Sequence, residues 1–307
     1  MNRFPPILLL LFATVLWGGN FVIGRAVIEE LPPVTLGFFR WCAAFIIFLP
    51  FAWSTLKRDW SIIRKHLVII FLLALTGVGA YSVLVYIALH HTTSINASLM
   101  NTGAPIIIYL LSFIFLKERL TVLQIIGTVI SILGVLFIIS NGSLATILNV
   151  QFNTGDLIVM IAVLSWAIYS ILTRQYSQKL PGQSTFLISI FFGIIILLPF
   201  FIYERATTTF ETTWSFASIS AILYTGIFAS ILAYIFWNNG VAKLGANHAG
   251  IFMNFIPVFA TIFAIIFIGE TLQFYQVVGG LLVVFGVYLT TRTRQAEKVS
   301  DLKRNIV

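Results

Sequence analysis

Residues 97–134 read ASLMNTGAPIIIYLLSFIFLKERLTVLQIIGTVISILG, and residues 249–286 read AGIFMNFIPVFATIFAIIFIGETLQFYQVVGGLLVVFG. Set 152 residues apart, they pair Ala97 with Ala249, Pro105 with Pro257, Glu118 with Glu270, Leu120 with Leu272, Gly127 with Gly279 and Gly134 with Gly286. Apolar segments coincide in Leu and Ile through composition alone, but not in Pro, Glu and Gly in one order. Outward from this array the repeat continues at an offset of 149, where Trp17, Arg25, Pro32 and Pro50 return as Trp166, Arg174, Pro181 and Pro199. The chain is one unit written twice.

What the unit is follows from composition. With 59% hydrophobic and 9% charged residues, there is too little polar surface to coat a soluble globule. Runs long enough to cross about 30 Å of hydrocarbon as helix fall near residues 6–28, 33–53, 67–89, 94–116 and 121–140, then 156–176, 182–203, 215–238, 246–268 and 273–291. The expected fold class is all-α integral membrane: ten transmembrane helices as two inverted five-helix repeats. Inversion follows from the odd number, because five spans leave the second copy crossing in the opposite sense. The expected division is 1–140 for the first repeat, 141–155 for a connecting external loop, 156–291 for the second repeat and 292–307 for a basic cytoplasmic tail, polar and mobile.

Charge predicts orientation, since basic loops stay in the cytoplasm. With the N-terminus inside, 15 of the 18 Lys and Arg fall in cytoplasmic segments, leaving Arg25, Arg40 and Arg205. Both termini are then cytoplasmic, in the cell membrane. The positive charge serves orientation and the lipid surface, so the bilayer is the expected partner and nucleic acid is not. Cys42 is the only cysteine, within a span, which leaves no disulfide or thiolate metal site. No cofactor and no metal are expected. An intramembrane enzyme needs paired carboxylates, a metal cluster or an activated nucleophile, and the four histidines are scattered; the chain reads as a non-enzyme.

Polar residues at helical spacing within a span mark a face turned to protein or water. Ala13, Trp17, Asn20 and Gly24 share such a face, answered by Ala162, Trp166, Tyr169 and Thr173. Ser82, Tyr86 and His90 are answered by Ser230, Tyr234 and Asn238, and the Ser94, Ala97, Ser98, Asn101, Pro105 stripe by Asn247, Gly250, Asn254 and Pro257. Helix packing explains single small residues, but Asn, Tyr, Trp and His are too bulky for close helix contact throughout. The faces predict the wall of a wet central cavity, with Trp17, Asn20, Arg40, Ser82, Tyr86, His90, Ser98, Asn101, Trp166, Tyr169, Tyr234, Trp237 and Asn254 as candidate substrate contacts. Pro105 and Pro257 each remove a backbone bond within a span and are candidate hinges.

Other residues carry alternatives. Arg40, about seven residues into its span, either neutralises a substrate carboxylate or anchors exposed carbonyls. Glu118 and Glu270 read as caps for the helices beginning near Thr121 and Gln273, and Arg25 and Arg174 as snorkelling side chains. Gly127, Ser131 and Gly134, with Gly279 and Gly286, form a small-residue seam suited to tight contact within the bundle or between two molecules, so the protein is a monomer or a homodimer.

Trp17-Gly18-Gly19-Asn20-Phe21, Phe39-Arg40-Trp41 and the duplicated Ala, Pro, Glu, Leu, Gly, Gly array together resemble the EamA-type members of the drug/metabolite transporter superfamily, across residues 6–291. The resemblance implies that spans one, three, four, six, eight and nine surround the cavity, with the fifth and tenth peripheral. It implies alternating access, in which two halves rock to open the cavity to one side at a time. Bacterial relatives commonly export amino acids and other metabolites, and some handle amphipathic toxic compounds. The expected function is therefore secondary transport exporting a small metabolite, with amino acids favoured and an aromatic or amphipathic body; the alternatives are drug efflux and a passive facilitator or channel. Four-span multidrug members of the superfamily depend on a glutamate in the first span, which this chain lacks in its first and sixth, so that mode of proton coupling is not expected.

Overall fold

Proline in a helix's first turn costs no hydrogen bond, because that N–H has no intrahelical partner, and Pro6 and Pro33 begin the first two helices in this way. The computed structural model describes residues 5–27, 30–89, 91, 101, 103–118, 120–149, 153–208, 212–268 and 271–304, with backbone alone at 21, 24–26, 82, 86, 89, 144, 147, 268 and 292–304. Helix α1 is Pro6–Ala26 and α2 is Pro33–Ile63. Helix α3 joins Leu67–Leu73, a π-helical segment Ala74–Ala80 and Tyr81–Leu89. The described part of α4 is Ala104–Leu111 with a π-helical end, Ser112–Leu116. Helix α5 is Val122–Ile139, and a short helix Leu144–Leu148 leads to the second half. There α6 is Thr154–Tyr176 and α7 is Gly182–Thr207. Helix α8 joins Phe216–Tyr224, a π-helical segment Thr225–Leu232 and Ala233–Leu244. Helix α9 joins Ala246–Gly250, a 3-10 turn Ile251–Asn254 and Phe255–Ile268, and α10 is Phe274–Arg304.

Among the described residues eight helices are long and apolar enough to cross a membrane, and Pro6–Asn20 and Ala104–Leu116 are shorter apolar helices. Outward side chains suit lipid: Phe51 is 74% exposed and Ile46 69%. The chain is a multi-pass, all-α membrane protein. Two expected ends are corrected. The charged stretch after residue 53 continues α2, because it contains no helix breaker and keeps Leu56, Asp59 and Ile63 buried on one face. Helix α10, expected to end near residue 291, continues to Arg304, with no proline or glycine to interrupt it after Arg292.

The contacts obey a two-fold rule. Helix α1 packs on α8 and α9 while its repeat image α6 packs on α3 and α4; α2 meets the π-helical segment of α8, and α7 that of α3; α2 pairs with α7, and α5 with α10. Both π-helical segments fall at the same place in the repeat, on Thr76-Gly77 and on Thr225-Gly226.

The paired helices are fixed by different chemistry. At one end of α2 and α7, the Glu204 carboxylate accepts from the N–H groups of Val34 and Thr35, at 2.9 and 2.6 Å, and from Thr35 Oγ1 at 2.8 Å. These are donors that the first turn of α2 cannot satisfy internally. At the other end Asp59 accepts from Ser184 Oγ in the first turn of α7 at 2.8 Å. The small-residue seam is used inside the bundle: a Cβ on Gly127 would lie 2.5 Å from Gly286 O, and one on Gly134 2.6 Å from Gly279 O. Backbones this close leave no room for a side chain.

Candidate functional site

A π-helical turn displaces a carbonyl from the ordinary ladder and leaves it to find another donor. In both repeats an aromatic side chain supplies one. Tyr234 OH donates to Gly77 O at 2.6 Å, and Trp17 Nε1 donates to Ala229 O at 3.0 Å. These donors belong to an aromatic layer across the middle of the bundle. Trp17 lies against Trp166, Trp237 and Tyr234 with centroids 5.3, 5.5 and 5.9 Å away, and Trp41 meets Tyr234 edge-on at 5.1 Å. Edge-to-face packing at such separations is the favourable arrangement for aromatic rings. Trp17, Trp41, Trp166, Tyr169, Tyr234 and Trp237 are all buried, so the layer is closely packed among the described residues. Among the described residues the buried indole N–H groups of Trp41, Trp166 and Trp237 have no hydrogen-bond partner, an arrangement that costs about 1–3 kcal/mol per group.

Beneath the layer lies a cavity of about 420 Å³, formed by the end of α6, the start of α7, the end of α8 and Leu73 of α3. Thr173, Gln183, Thr185, Ser189, Asn238 and Asn239 give it neutral polar walls, and Tyr169, Tyr176 and Phe186 give it rings; no charged side chain is among its lining residues. Tyr169 OH donates to Asn238 Oδ1 at 2.8 Å, and Phe186 stacks on Tyr234 at 5.7 Å, so the cavity ends on the aromatic layer. It belongs to the end of the bundle that carries Arg64, Lys65, Lys117, Lys179 and Lys243, here called the basic face. The volume suits a small metabolite.

The repeat supplies an internal comparison. At the offset of 149, Leu73, Tyr176, Leu180 and Thr185 correspond to Ile222, Val27, Leu31 and Leu36. Those four residues, with Ala221, form a separate buried apolar cluster against Ile23, Phe39 and Ala43. The region is thus open at the basic face and packed shut in its image at the opposite face.

Other sequence-named residues are placed as follows. Asn20 is half-buried on α1. Arg40 is 7% exposed, donates from Nε to Ser230 Oγ at 3.0 Å and lies 5.2 Å over its neighbour Trp41. Asn101 is half-buried, and its Oδ1 is buried without a partner among the described residues. Asn254 donates to Ser131 Oγ of α5 at 3.0 Å. Pro105 stands in the first turn of its helical segment and Pro257 just beyond the 3-10 turn of α9. His90, Ser98 and Glu270 lie outside the described residues, as do the side chains of Ser82, Tyr86 and Arg25. Of the candidates, Tyr169 lines the cavity, while Trp17, Trp166, Tyr234 and Trp237 form the layer above it.

Two expectations at the basic face are corrected. Glu118 does not cap α5, because Thr121 and Gln124 make a reciprocal capping box there. It accepts instead from Ser112 Oγ at 3.0 Å and pairs with Arg174 at 3.6 Å. Arg174 does not snorkel away from the bundle; its Nη1 donates to Ala242 O at 2.7 Å, tying α6 to α8.

The chain matches the EamA-like transporter family over residues 4–140 and 153–292. It is 26% identical to YyaM, an uncharacterized transporter of Bacillus subtilis (strain 168), over the whole of both chains. It is 28% identical to an uncharacterized transporter of Archaeoglobus fulgidus, covering 92% of this chain and 96% of that one. It is also 28% identical, over 74% of each chain, to a probable terminal-alkyne amino-acid exporter of Streptantibioticus cattleyicolor. A crystal structure at 16% identity superposes with a TM-score of 0.76, over 94% of this chain and 97% of the other.

Proposed function

The chain belongs to the EamA-like transporter family, and from that premise we propose that it is an alternating-access carrier exporting a small metabolite, with amino acids the favoured class. The observation that carries this reading is the unequal state of two equivalent regions. One holds a cavity of about 420 Å³, and its repeat image is filled by Val27, Leu31, Leu36 and Ile222. Exchange of the two packings between halves moves the opening from one face to the other without altering the fold. The buried aromatic layer favours a carrier over an open channel, which needs a continuous path.

The basic face is assigned to the cytoplasm by its excess of Lys and Arg, so the described state opens inward, in the cell membrane with both termini inside. Residues 1–140 and 156–291 are the moving units, joined by an external loop. Rings of the layer and Tyr169, Tyr176 and Phe186 accept an apolar body, and the amides and hydroxyls of the cavity orient polar groups. The likeness to a probable amino-acid exporter supports that cargo class. Pro105 and Pro257 serve as bends about which α4 and α9 move. No chemical step is assigned to the protein, and the cavity is lined by residues of one copy.

The test is counterflow in liposomes holding purified protein, preloaded with one amino acid and supplied with the same labelled compound outside. Saturable stimulation of uptake by internal substrate is the expected result. Uptake linear in concentration and indifferent to preloading makes the protein a passive pore, and silence across all amino acids removes that cargo class.

A further inference from the structure

Arg40 is buried, and among the described residues most of its guanidinium donors are unused. Arginine has five N–H donors; Arg40 spends one, from Nε, on Ser230 Oγ, and no carboxylate pairs with it among the described residues. A structural arginine within a membrane offsets its desolvation by binding acids or several backbone carbonyls, whereas Arg40 donates to no carbonyl among the described residues.

Its position has a functional counterpart. At the repeat offset Arg40 corresponds to Ser189, which lines the open cavity. On α8 the residues Ser230, Tyr234 and Asn238 follow one another at four-residue spacing, and they meet Arg40, the aromatic layer and the cavity in turn. Arg40 lies about 10 Å along α2 from its first residue, on the side of the layer away from the cavity. A molecule leaving the neutral cavity through the layer therefore meets this charge next.

We propose that Arg40 is the receptor for an anionic group, a carboxylate, on the transported molecule, engaged when the apolar cluster of Val27, Leu31, Leu36 and Ile222 parts. This rests on the carrier reading above and narrows it: the cargo joins a carboxylate to a body that passes between aromatic rings. A forked guanidinium binds a carboxylate through two parallel hydrogen bonds, and the Nε bond to Ser230 leaves the two Nη groups for that contact.

The experiment is a thermal-shift titration of the purified full-length protein in detergent, wild type against Arg40→Met and Arg40→Lys. The probes are L-phenylalanine and L-leucine, each matched with its amide, together with sodium chloride and inorganic phosphate. Binding to the folded state raises the melting temperature. The carboxylates are expected to stabilise wild type, the amides to bind about tenfold more weakly or worse, Arg40→Met to lose the distinction and Arg40→Lys to keep part of it. Without ligand, Arg40→Met is expected to melt about 2–4 °C higher, as an uncompensated buried charge is removed. Equal stabilisation by acid and amide overturns the proposal, as does an unaltered preference in Arg40→Met. Chloride or phosphate matching the carboxylates reassigns the site to an inorganic anion and overturns it as a cargo site. If no amino acid stabilises wild type, the amino-acid reading has failed. The melting temperature of Arg40→Met then decides alone: a rise sustains the anion site, and a fall makes Arg40 a structural strut.

Discussion

Gly77 has its carbonyl taken by Tyr234 and its Cα pressed on Tyr169, so an added Cβ would overlap the Tyr169 ring. Both tyrosines are buried and cannot retreat. Gly77→Ala should cost about 1–3 kcal/mol by overpacking and reduce counterflow, measured beside Gly280→Ala, whose nearest contact is an ordinary 3.8 Å from Val258 Cγ1. Equal behaviour of the two variants would show that the contact does not matter. At this scale the sequence was legible where a stripe combined unlike residues: Trp17, Trp166 and Tyr234 stand out at helical spacing. Ser189, Gln183 and Asn239 did not, because isolated neutral polar residues in an apolar helix resemble packing residues. The offset of 149 applied to Arg40 points to Ser189, a signal present in the sequence and unused. Asn254 shows the opposite limit, since a polar residue on a stripe can face another helix, here α5 through Ser131.

The spacing of Gly127, Gly134, Gly279 and Gly286 predicted a tight contact within the bundle or between two molecules, and α5 and α10 meet through that seam within the bundle. Gly134→Leu should separate them, lowering the melting temperature in detergent by about 4 °C or more while leaving the aromatic layer intact; an unchanged melting temperature would mean that the seam bears no weight. The junction of α2 with α7 was not legible, because Glu204 lies 170 residues from Val34 and Asp59 lies 125 residues from Ser184 in sequence. Glu204→Gln keeps the shape but loses the charge facing three donors. A loss of about 1–2 kcal/mol follows from the weakened charge-assisted bonds, readable as a lowered melting temperature, with wild-type stability as the contrary outcome. The π-helical segments of α3 and α8 were also hidden: Thr-Gly marks both, yet nothing local distinguishes such a turn from an ordinary one.

For the whole molecule, the proposed exchange between two packings can be tested by chemical labelling. With Cys42 replaced by alanine, a cysteine at Asn239 should react with a membrane-impermeant thiol reagent added at the basic face, and a cysteine at Val27 should be protected from reagent at either face in the described state. A transported substrate should speed labelling at residue 27 and slow it at 239, because each molecule occupies one packing at a time. Rates at both positions that rise together with substrate would contradict reciprocal opening. The duplication made the overall plan readable; which half lies open did not follow from it, because both halves carry nearly the same pattern and the choice depends on small differences in packing energy.

The acid at each end of the α2–α7 pair limits the kind of motion available. A slide of one helix along the other by a single residue, about 1.5 Å, would pull Glu204 from Val34 and Thr35 and Asp59 from Ser184 together. A tilt of one helix against the other about its midpoint by about 5° moves each end by a similar amount, because the two contacts lie about 36 Å apart along α2. The two helices thus form a strut pinned at both ends, which resists sliding and splaying within the pair.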